Sequence, residues 1–206
     1  MIKKQNYLKH AIVLFLLLLL MQPERAWAAY ENVEFSSLTN HDGLTNSQVG
    51  AILKDTRGYI WFGTQSGLCR FDGFRMKTFY YSNTDDKSLP NNSVDELQQD
   101  YDGNIWVHTS VGYSIYKYDE EQFDRKPEEW LKNIHVQGPP YKLLIDKDKN
   151  MWIAVYGQGL YFHNAKTKNT YLFKFTKKAQ PGCLKEGNIS KITEVDGDAL
   201  ITYNDG

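Results

Sequence analysis

A tryptophan that recurs at a nearly fixed spacing is the feature that most constrains how this 206-residue chain can fold. Trp61, Trp106 and Trp152 lie 45 and 46 residues apart, and an aspartate stands six residues before each of them. A period of this length is typical of proteins that repeat one supersecondary unit along the chain. Each unit in such a protein buries its hydrophobic side against its neighbours, so we expect the tryptophans to pack between successive copies.

Each copy combines strand and turn patterns in the same order. An apolar run precedes the aspartate, and the tryptophan follows in a second strand that ends at a glycine. Aspartate side chains accept hydrogen bonds from backbone N–H groups two residues on, and glycine adopts positive φ. Asp55–Gly58 and Asp100–Gly103 are therefore predicted to form hairpin turns. In the third copy Lys149 replaces the glycine, so we expect Asn150 to take the left-handed position, or the turn to be of another type.

Four strands in about 45 residues make one blade of a β-propeller. The predicted fold class is all-β, with four-stranded antiparallel blades in an incomplete ring of about three and a half blades. The expected blade cores are 44–80, 92–137, 141–175 and 188–206, with outer strands at Met76–Tyr80, Ile134–Gln137 and Tyr171–Phe175. Pro127–Lys132 is predicted to be a short helix, with proline in its first turn and acids at the positive end of its dipole.

The fourth copy departs most from the pattern. Leu200 takes its tryptophan position, Asp196-Gly197 makes a shorter turn, and the sequence stops at Gly206 within a repeat. We therefore expect a truncated ring. Unpaired strand edges and an uncovered blade face predict that residues 29–206 alone are aggregation-prone or only partly folded.

The first 28 residues have the order of an export sequence. Lys3, Lys4 and Lys9 precede the apolar run Ala11–Met21, and Ala26–Ala28 matches a small-residue cleavage site. A helix of eleven residues reaches only about half of the hydrocarbon core of a membrane. Residues 1–28 are predicted to be a cleaved signal peptide, with an uncleaved anchor as the alternative, and residues 29–206 to be the exported propeller.

The stretch Asp55–Asp72, preceded by His41–Leu44 and repeated at 100–119 and 146–162, resembles the two-component regulator propeller repeat. The resemblance covers essentially all of residues 30–206. The order of segments resembles the N-terminal periplasmic sensor region of Bacteroidetes hybrid two-component histidine kinases. It implies recognition of an oligosaccharide and a relay to transcription of polysaccharide-utilisation genes. The implied partners are the remaining blades and downstream domains of a receptor anchored in the inner membrane.

The repeat positions are expected to be structural: Asp55, Gly58, Trp61, Asp100, Gly103, Trp106, Asp146 and Trp152. Trp130 breaks the period and is the candidate for an exposed ligand contact, although we favour the interpretation that it anchors a helix on its blade. No catalytic residue, cofactor site or metal site is predicted. Asp146–Asn150 resembles the start of a calcium loop, but Met151 stands where that loop needs glycine. The histidines show no metal-ligand or catalytic spacing.

Two cysteines leave one pairing open. An oxidising compartment would allow a Cys69–Cys183 bridge. The two residues belong to segments about two blades apart, however, and a disulfide needs Cα atoms within about 7 Å. We therefore favour unpaired thiols.

Three functions remain at this stage. The first is a ligand-recognising sensor module without chemistry of its own. The second is part of an exported propeller enzyme, a polysaccharide lyase or glycosidase, which would need suitably placed carboxylates. The third is an extracellular adhesion or scaffold propeller. A formal net charge of −1 gives no general attraction to nucleic acid.

Overall fold

The computed structural model describes residues 35–177, 183–185 and 187–204. The predicted signal peptide, residues 1–28, lies outside the described residues. The chain divides into two compact units, Met1–Ser37 and Leu38–Gly206. The first is described only at residues 35–37, which carry neither helix nor strand. The β-strands, one α-helix and a short 3₁₀ turn at Asn40–Asp42 all belong to the second unit.

Two successive sheets of four strands open the second unit. Each pairs its strands antiparallel in chain order, so neighbours in sequence are neighbours in space. The first sheet contains β1 (Val49–Lys54), β2 (Ile60–Thr64), β3 (Gly67–Phe71) and β4 (Met76–Phe79). The second contains β5 (Val94–Gln99), β6 (Ile105–Thr109), β7 (Gly112–Lys117) and β8 (Gln122–Asp124).

The third and fourth sheets repeat this meander with changes. The third contains β9 (Pro140–Ile145), β10 (Met151–Val155), β11 (Gly159–His163) and β12 (Thr170–Thr176), and β13 (Leu184–Lys185) adds a parallel strand beside β12. The fourth is a hairpin of β14 (Ile189–Val195) and β15 (Asp198–Tyr203). The prediction of an all-β chain built from four-stranded antiparallel sheets is confirmed.

Helix α1 (Pro127–Lys132) has the predicted bounds, with Pro127 at its first turn and Glu128 and Glu129 beside it. It follows β8 and leads to β9. The outer strand of the second sheet, however, is Gln122–Asp124 and not Ile134–Gln137. A tight turn before Gln122, with Glu121 at φ 51°, returns the chain at once to the sheet edge. Ile134 and Val136 are instead buried in the core beyond the helix.

Lys149 corrects the expectation for the third turn. Lys149 itself adopts the left-handed conformation, with φ of 65°, where Gly58 and Gly103 have φ of 93° and 85°. Asn150 stays outside that region because both its backbone N–H and its side-chain amide donate to the Asp146 carboxylate. The Lys149 ammonium donates to the Gln99 carbonyl at 3.0 Å, which ties the strained turn to the second sheet.

Leu200 does not take the place of the tryptophan. The fourth hairpin turns on Asp196 and Gly197, both with positive φ, the geometry of a two-residue hairpin loop. Because this turn is shorter, Ala199, Ile201 and Tyr203 pack against the third sheet and Leu200 is 55% exposed.

The hydrophobic core lies between the sheets. Trp61 packs with Phe79, Tyr116 and Phe123 between the first and second sheets. Trp106 occupies the equivalent place between the second and third sheets, and Trp152 packs with Phe173 between the third and fourth. Burying the apolar surface of such residues is the main stabilising term, so each sheet depends on its neighbour. Over the described part of the chain, no helix has the length and apolarity that a membrane crossing requires.

Candidate functional site: the bulged ends of the inner strands

The first strands of the four sheets lie next to one another: β1 contacts β5, β5 contacts β9, and β9 contacts β14. Each of them pairs with its second strand through a register shift near its start. In each strand one extra residue is left out of the ladder; these four residues, Gly50, Asp95, Tyr141 and Ser190, are called the inner-strand bulges. A bulge redirects side chains and is common beside functional sites, so this end of the inner strands is the candidate site.

The first and second bulges touch closely. A Cβ atom on Gly50 would lie 3.2 Å from the Val94 carbonyl oxygen and 3.4 Å from the Cα of Asp95. A side chain at position 50 would therefore require the neighbouring backbone to shift by a few tenths of an ångström. Glycine here lets the backbone of β1 approach the bulge of β5.

The second bulge carries a polar cluster. The Asp95 carboxylate lies 2.6 Å from Nδ1 of His108, and the His108 ring packs against Tyr113 with ring centroids 4.4 Å apart. The Tyr113 hydroxyl donates to Glu96 at 3.1 Å and accepts the Leu143 backbone N–H at 3.1 Å. Burial, with Glu96 nearby, raises the pKa of Tyr113 and keeps the hydroxyl protonated. The cluster thus joins the inner strands of the second and third sheets.

The third and fourth bulges add an aromatic face and hydroxyl groups. The Tyr141 ring stacks on Tyr156 with centroids 4.0 Å apart and planes 18° apart, and Tyr156 is 64% exposed. The Tyr141 hydroxyl accepts the Ile189 backbone N–H at 3.2 Å, and burial raises the pKa of Tyr141. Ser190 and Thr202 share a hydrogen bond of 3.0 Å between their hydroxyl oxygens.

This arrangement is suited to binding a polar molecule that has one apolar face. Tyr156 offers a flat ring that Tyr141 holds in place, and the carboxylate, imidazole and hydroxyl groups of the neighbouring strands offer hydrogen bonds. A surface with an aromatic platform and a few fixed polar groups is the usual composition of a small-ligand site. No cluster of three or more metal-ligating side chains occurs within the described ranges.

The aspartates predicted from the repeat lie at the other end of the sheets. The Oδ1 atoms of Asp55, Asp100 and Asp146 accept backbone N–H groups two and four residues on. Each Oδ2 also accepts the indole N–H of its own tryptophan, at 2.7, 2.9 and 3.4 Å. These carboxylates are engaged in holding the turn and the tryptophan together. In the turn whose sequence resembles a calcium loop, both oxygens of Asp146 therefore already accept hydrogen bonds from the chain itself.

Trp130 lies in α1 and packs against the core. Its ring meets Trp106 edge-on at 5.4 Å between centroids and Tyr101 at 6.1 Å. It is half-buried, in contact with the cluster between the second and third sheets. The structure thus places Trp130 where it anchors the helix, away from the inner-strand bulges.

The cysteines and histidines are dispersed. Cys69 and Cys183 are both unpaired. His163 is buried, with Nδ1 2.8 Å from the Thr170 hydroxyl, and His41 and His135 are exposed. Only His108 belongs to the candidate site among the histidines of the described residues.

Sequence reasoning missed the inner-strand bulges. They fall in segments that read as ordinary strands, Val49–Ala51, Val94–Glu96, Pro140–Lys142 and Ile189–Lys191. The four bulged residues are a glycine, an acid, an aromatic and a hydroxyl residue, so no residue type marks the position. An alignment of the copies on the residue pairing of each hairpin, and not only on tryptophan, would have exposed the extra residue.

Comparison with known proteins agrees with the repeat. A family model described as the two component regulator propeller matches residues 43–66 and 88–110. A curated relative, Histidine kinase P4 of Formosa agariphila, is 41% identical over 61 residues, which are 30% of this chain and 4% of that protein. The chain thus spans a small fraction of this relative's length.

Two solved structures are also similar. Both come from B. thetaiotaomicron and are extracellular domains. One, described as that of the hybrid two component system BT3049, is 18% identical with a TM-score of 0.40, over 83% of this chain and 29% of that one. The other, described as that of the one component system BT4673, is 16% identical with a TM-score of 0.47, over 78% and 23%. The likeness to the two-component regulator propeller rests on residues 43–66 and 88–110, which make up less than half of the chain.

Proposed function

We propose that this chain is part of the sensor region of a two-component receptor and recognises an oligosaccharide at the inner-strand bulges. The exposed face of Tyr156, held by its stack on Tyr141, is the observation that carries the proposal. The match to two-component regulator propeller repeats supports the sensor role.

A sugar ring fits the chemistry of this surface. One face of a pyranose presents C–H groups, which pack on an aromatic ring, while its hydroxyl groups both donate and accept hydrogen bonds. Tyr156 supplies the ring, and the Asp95–His108 pair and the Ser190 hydroxyl supply hydrogen-bonding groups. Asp95 and Ser190 belong to β5 and β14, the inner strands on either side of β9. The ligand would contact several sheets at once, so binding would stabilise their relative arrangement.

The proposed role includes export and relay. The chain would act outside the cytoplasm, as the ligand-recognising part of a receptor anchored in the inner membrane. The remaining blades and downstream domains would pass the binding event to a histidine kinase and so to polysaccharide-utilisation genes. The chain itself would perform no chemistry.

A glycan array tests the recognition step. The purified chain is expected to bind a subset of oligosaccharides without cleaving them. Tyr156→Ala should abolish that binding because it removes the stacking face, whereas Tyr80→Ala, which removes an aromatic of similar exposure in the connection after β4, should not. Equal binding by both variants would contradict the placement, and bond cleavage would favour an enzyme.

The reading frame around this chain tests the receptor context. Further blades, a membrane helix and a histidine kinase module should follow in the same gene product. A catalytic polysaccharide-degrading domain there would contradict the sensor role.

A further inference from the structure

The residues that follow the inner-strand bulges differ in charge from sheet to sheet. Ala51, Glu96, Lys142 and Lys191 each stand directly after the bulged residue, and each pairs with the second strand of its sheet. The same position of the fold thus carries an acid in the second sheet and lysines in the third and fourth.

The acidic side chains at this end already have partners within their own sheet. Asp95 is paired with His108 at 2.6 Å. Glu96 accepts the Tyr113 hydroxyl at 3.1 Å and lies in contact with the side-chain amide of Gln98. Both carboxylates are therefore held by groups of their own sheet and have reduced capacity for a cationic ligand.

The positive charges at this end have no such partner. Lys142 is half-buried and Lys191 is exposed, and neither forms an ion pair with any acid among the described residues. Lys142 follows Tyr141 in β9 and pairs with Ala154, two residues before Tyr156, so the register places it next to the stacked tyrosines. Lys191 pairs with Thr202, next to the Ile192–Ile201 pair that packs against the third sheet, so it lies on the opposite face of the fourth sheet. A partly buried ammonium group without a counter-ion favours an anionic ligand, because ligand charge offsets its lost hydration.

The surrounding sequence extends this positive character. From Lys149 to Lys185 the chain has lysines but no aspartate or glutamate, although its acids and bases nearly balance overall, at 25 and 24. Of these lysines, Lys174 pairs with Gly159 and so lies at the same end of the third sheet as Tyr156, whereas Lys149, Lys166 and Lys168 lie at the opposite end.

From these observations we infer that the ligand of the inner-strand bulges is an anionic saccharide, whose carboxylate or sulfate group is bound by Lys142. This inference rests on the proposed function, because it specifies the class of oligosaccharide for the same site. Tyr156 contacts the sugar ring, and Lys142 selects the charged substituent.

An array of matched acidic and neutral oligosaccharides tests the inference on the purified chain. It contains uronic acid oligosaccharides beside their methyl esters, and sulfated oligosaccharides beside their desulfated forms. We expect the charged member of a pair to bind about tenfold more tightly, a preference that weakens as salt is raised. The two kinds of pair distinguish a carboxylate from a sulfate ligand.

Lysine variants locate the charge recognition. Lys142→Gln should weaken binding of the charged member about three- to tenfold and leave the neutral member unchanged. Lys54→Gln, at the opposite end of an inner strand, is the matched control and should leave both unchanged. Thermal unfolding of each variant shows whether its fold is intact.

The outcomes separate the two proposals. Binding of neutral oligosaccharides as tightly as their charged partners, or loss of discrimination in Lys54→Gln only, would overturn the anionic class and leave oligosaccharide recognition standing. No binding to any oligosaccharide would overturn both.

Discussion

At the scale of single residues, the aspartate of each repeat does more than form a turn. Its two oxygens have different partners: Oδ1 accepts backbone N–H groups of the turn, and Oδ2 accepts the tryptophan indole N–H. The six-residue spacing of aspartate and tryptophan therefore reflects a direct hydrogen bond between their side chains. The turn could be predicted from sequence, whereas the bond depends on the pairing of β1 with β2 and its equivalents.

Removal of this carboxylate should destabilise the second sheet. Asp100→Ala leaves the buried indole N–H of Trp106 and the backbone N–H of Asn104 without acceptors. We expect a loss of about 3 kcal/mol in the free energy of unfolding, measured by chemical denaturation. Asp102→Ala, an exposed aspartate in the same turn, is the control and should cost less than about 0.5 kcal/mol. Similar losses for both variants would count against the side-chain bond.

His163 makes the interface of the second and third sheets sensitive to acid. The Thr170 hydroxyl donates to the Ile134 carbonyl at 2.6 Å, so it accepts from Nδ1 of His163, and Nε2 is buried without a partner. Burial, and to a lesser degree the charges of Lys168 and His135, lower the pKa of His163 below its ordinary value near 6.5. The Tyr101 ring also packs against it.

The expected pH dependence follows from this lowered pKa. The unfolded chain binds a proton at His163 at a higher pH than the folded chain does. The contribution of His163 to the free energy of unfolding is therefore constant above about pH 6.5 and falls as the pH drops below it. His163→Gln should flatten the fall between about pH 6.5 and 5 in denaturation curves. His41→Gln, at an exposed histidine, should leave the slope as it is, and an unchanged slope in His163→Gln would refute the assignment.

At the scale of elements, helix α1 depends both on a local sequence pattern, which sets its bounds, and on a tertiary contact, which stabilises it. Proline at its start and acids in its first turn gave its bounds correctly. A six-residue helix is too short to be stable alone, so it needs the packing of Trp130 on Trp106 and Tyr101. The sequence could not distinguish that contact from an exposed ligand contact.

Trp130→Ala separates these two interpretations. We expect it to lower the free energy of unfolding by about 2 kcal/mol, because a half-buried ring leaves the core, and to leave oligosaccharide binding unchanged. Glu129→Ala, an exposed neighbour on the same helix, should change neither quantity measurably. Lost binding with unchanged stability would make Trp130 a ligand contact.

At the scale of the whole molecule, the order of the sheets keeps distant segments apart. Cys69 lies in β3, fully buried beside Thr45, and Cys183 lies after β12, half-buried and beyond two intervening sheet interfaces. Both are free. The arrangement of sheets in chain order therefore explains why an oxidising environment need not join them.

Thiol labelling measures this separation. In the native chain an alkylating reagent should modify Cys183 and spare Cys69, and both should react after denaturation, as read by mass spectrometry of peptides. Cys183→Ser should abolish native labelling. A chain that resists alkylation until it is reduced would contain the bridge and contradict the structure.

The sequence by itself determined the repeat and the first three strands of the first three copies, because these depend on local patterns that recur every 45 or 46 residues. It also determined helix α1, from a local pattern of proline and acids that occurs once. Only the tertiary structure decided the outer strand Gln122–Asp124, the left-handed Lys149 and the exposure of Leu200. Each of these depends on how the segment pairs with or packs against a neighbouring segment. The inner-strand bulges belong to the same class. A bulge is a property of the pairing between two strands, and the candidate site arises because the four bulges lie at the same end of neighbouring inner strands.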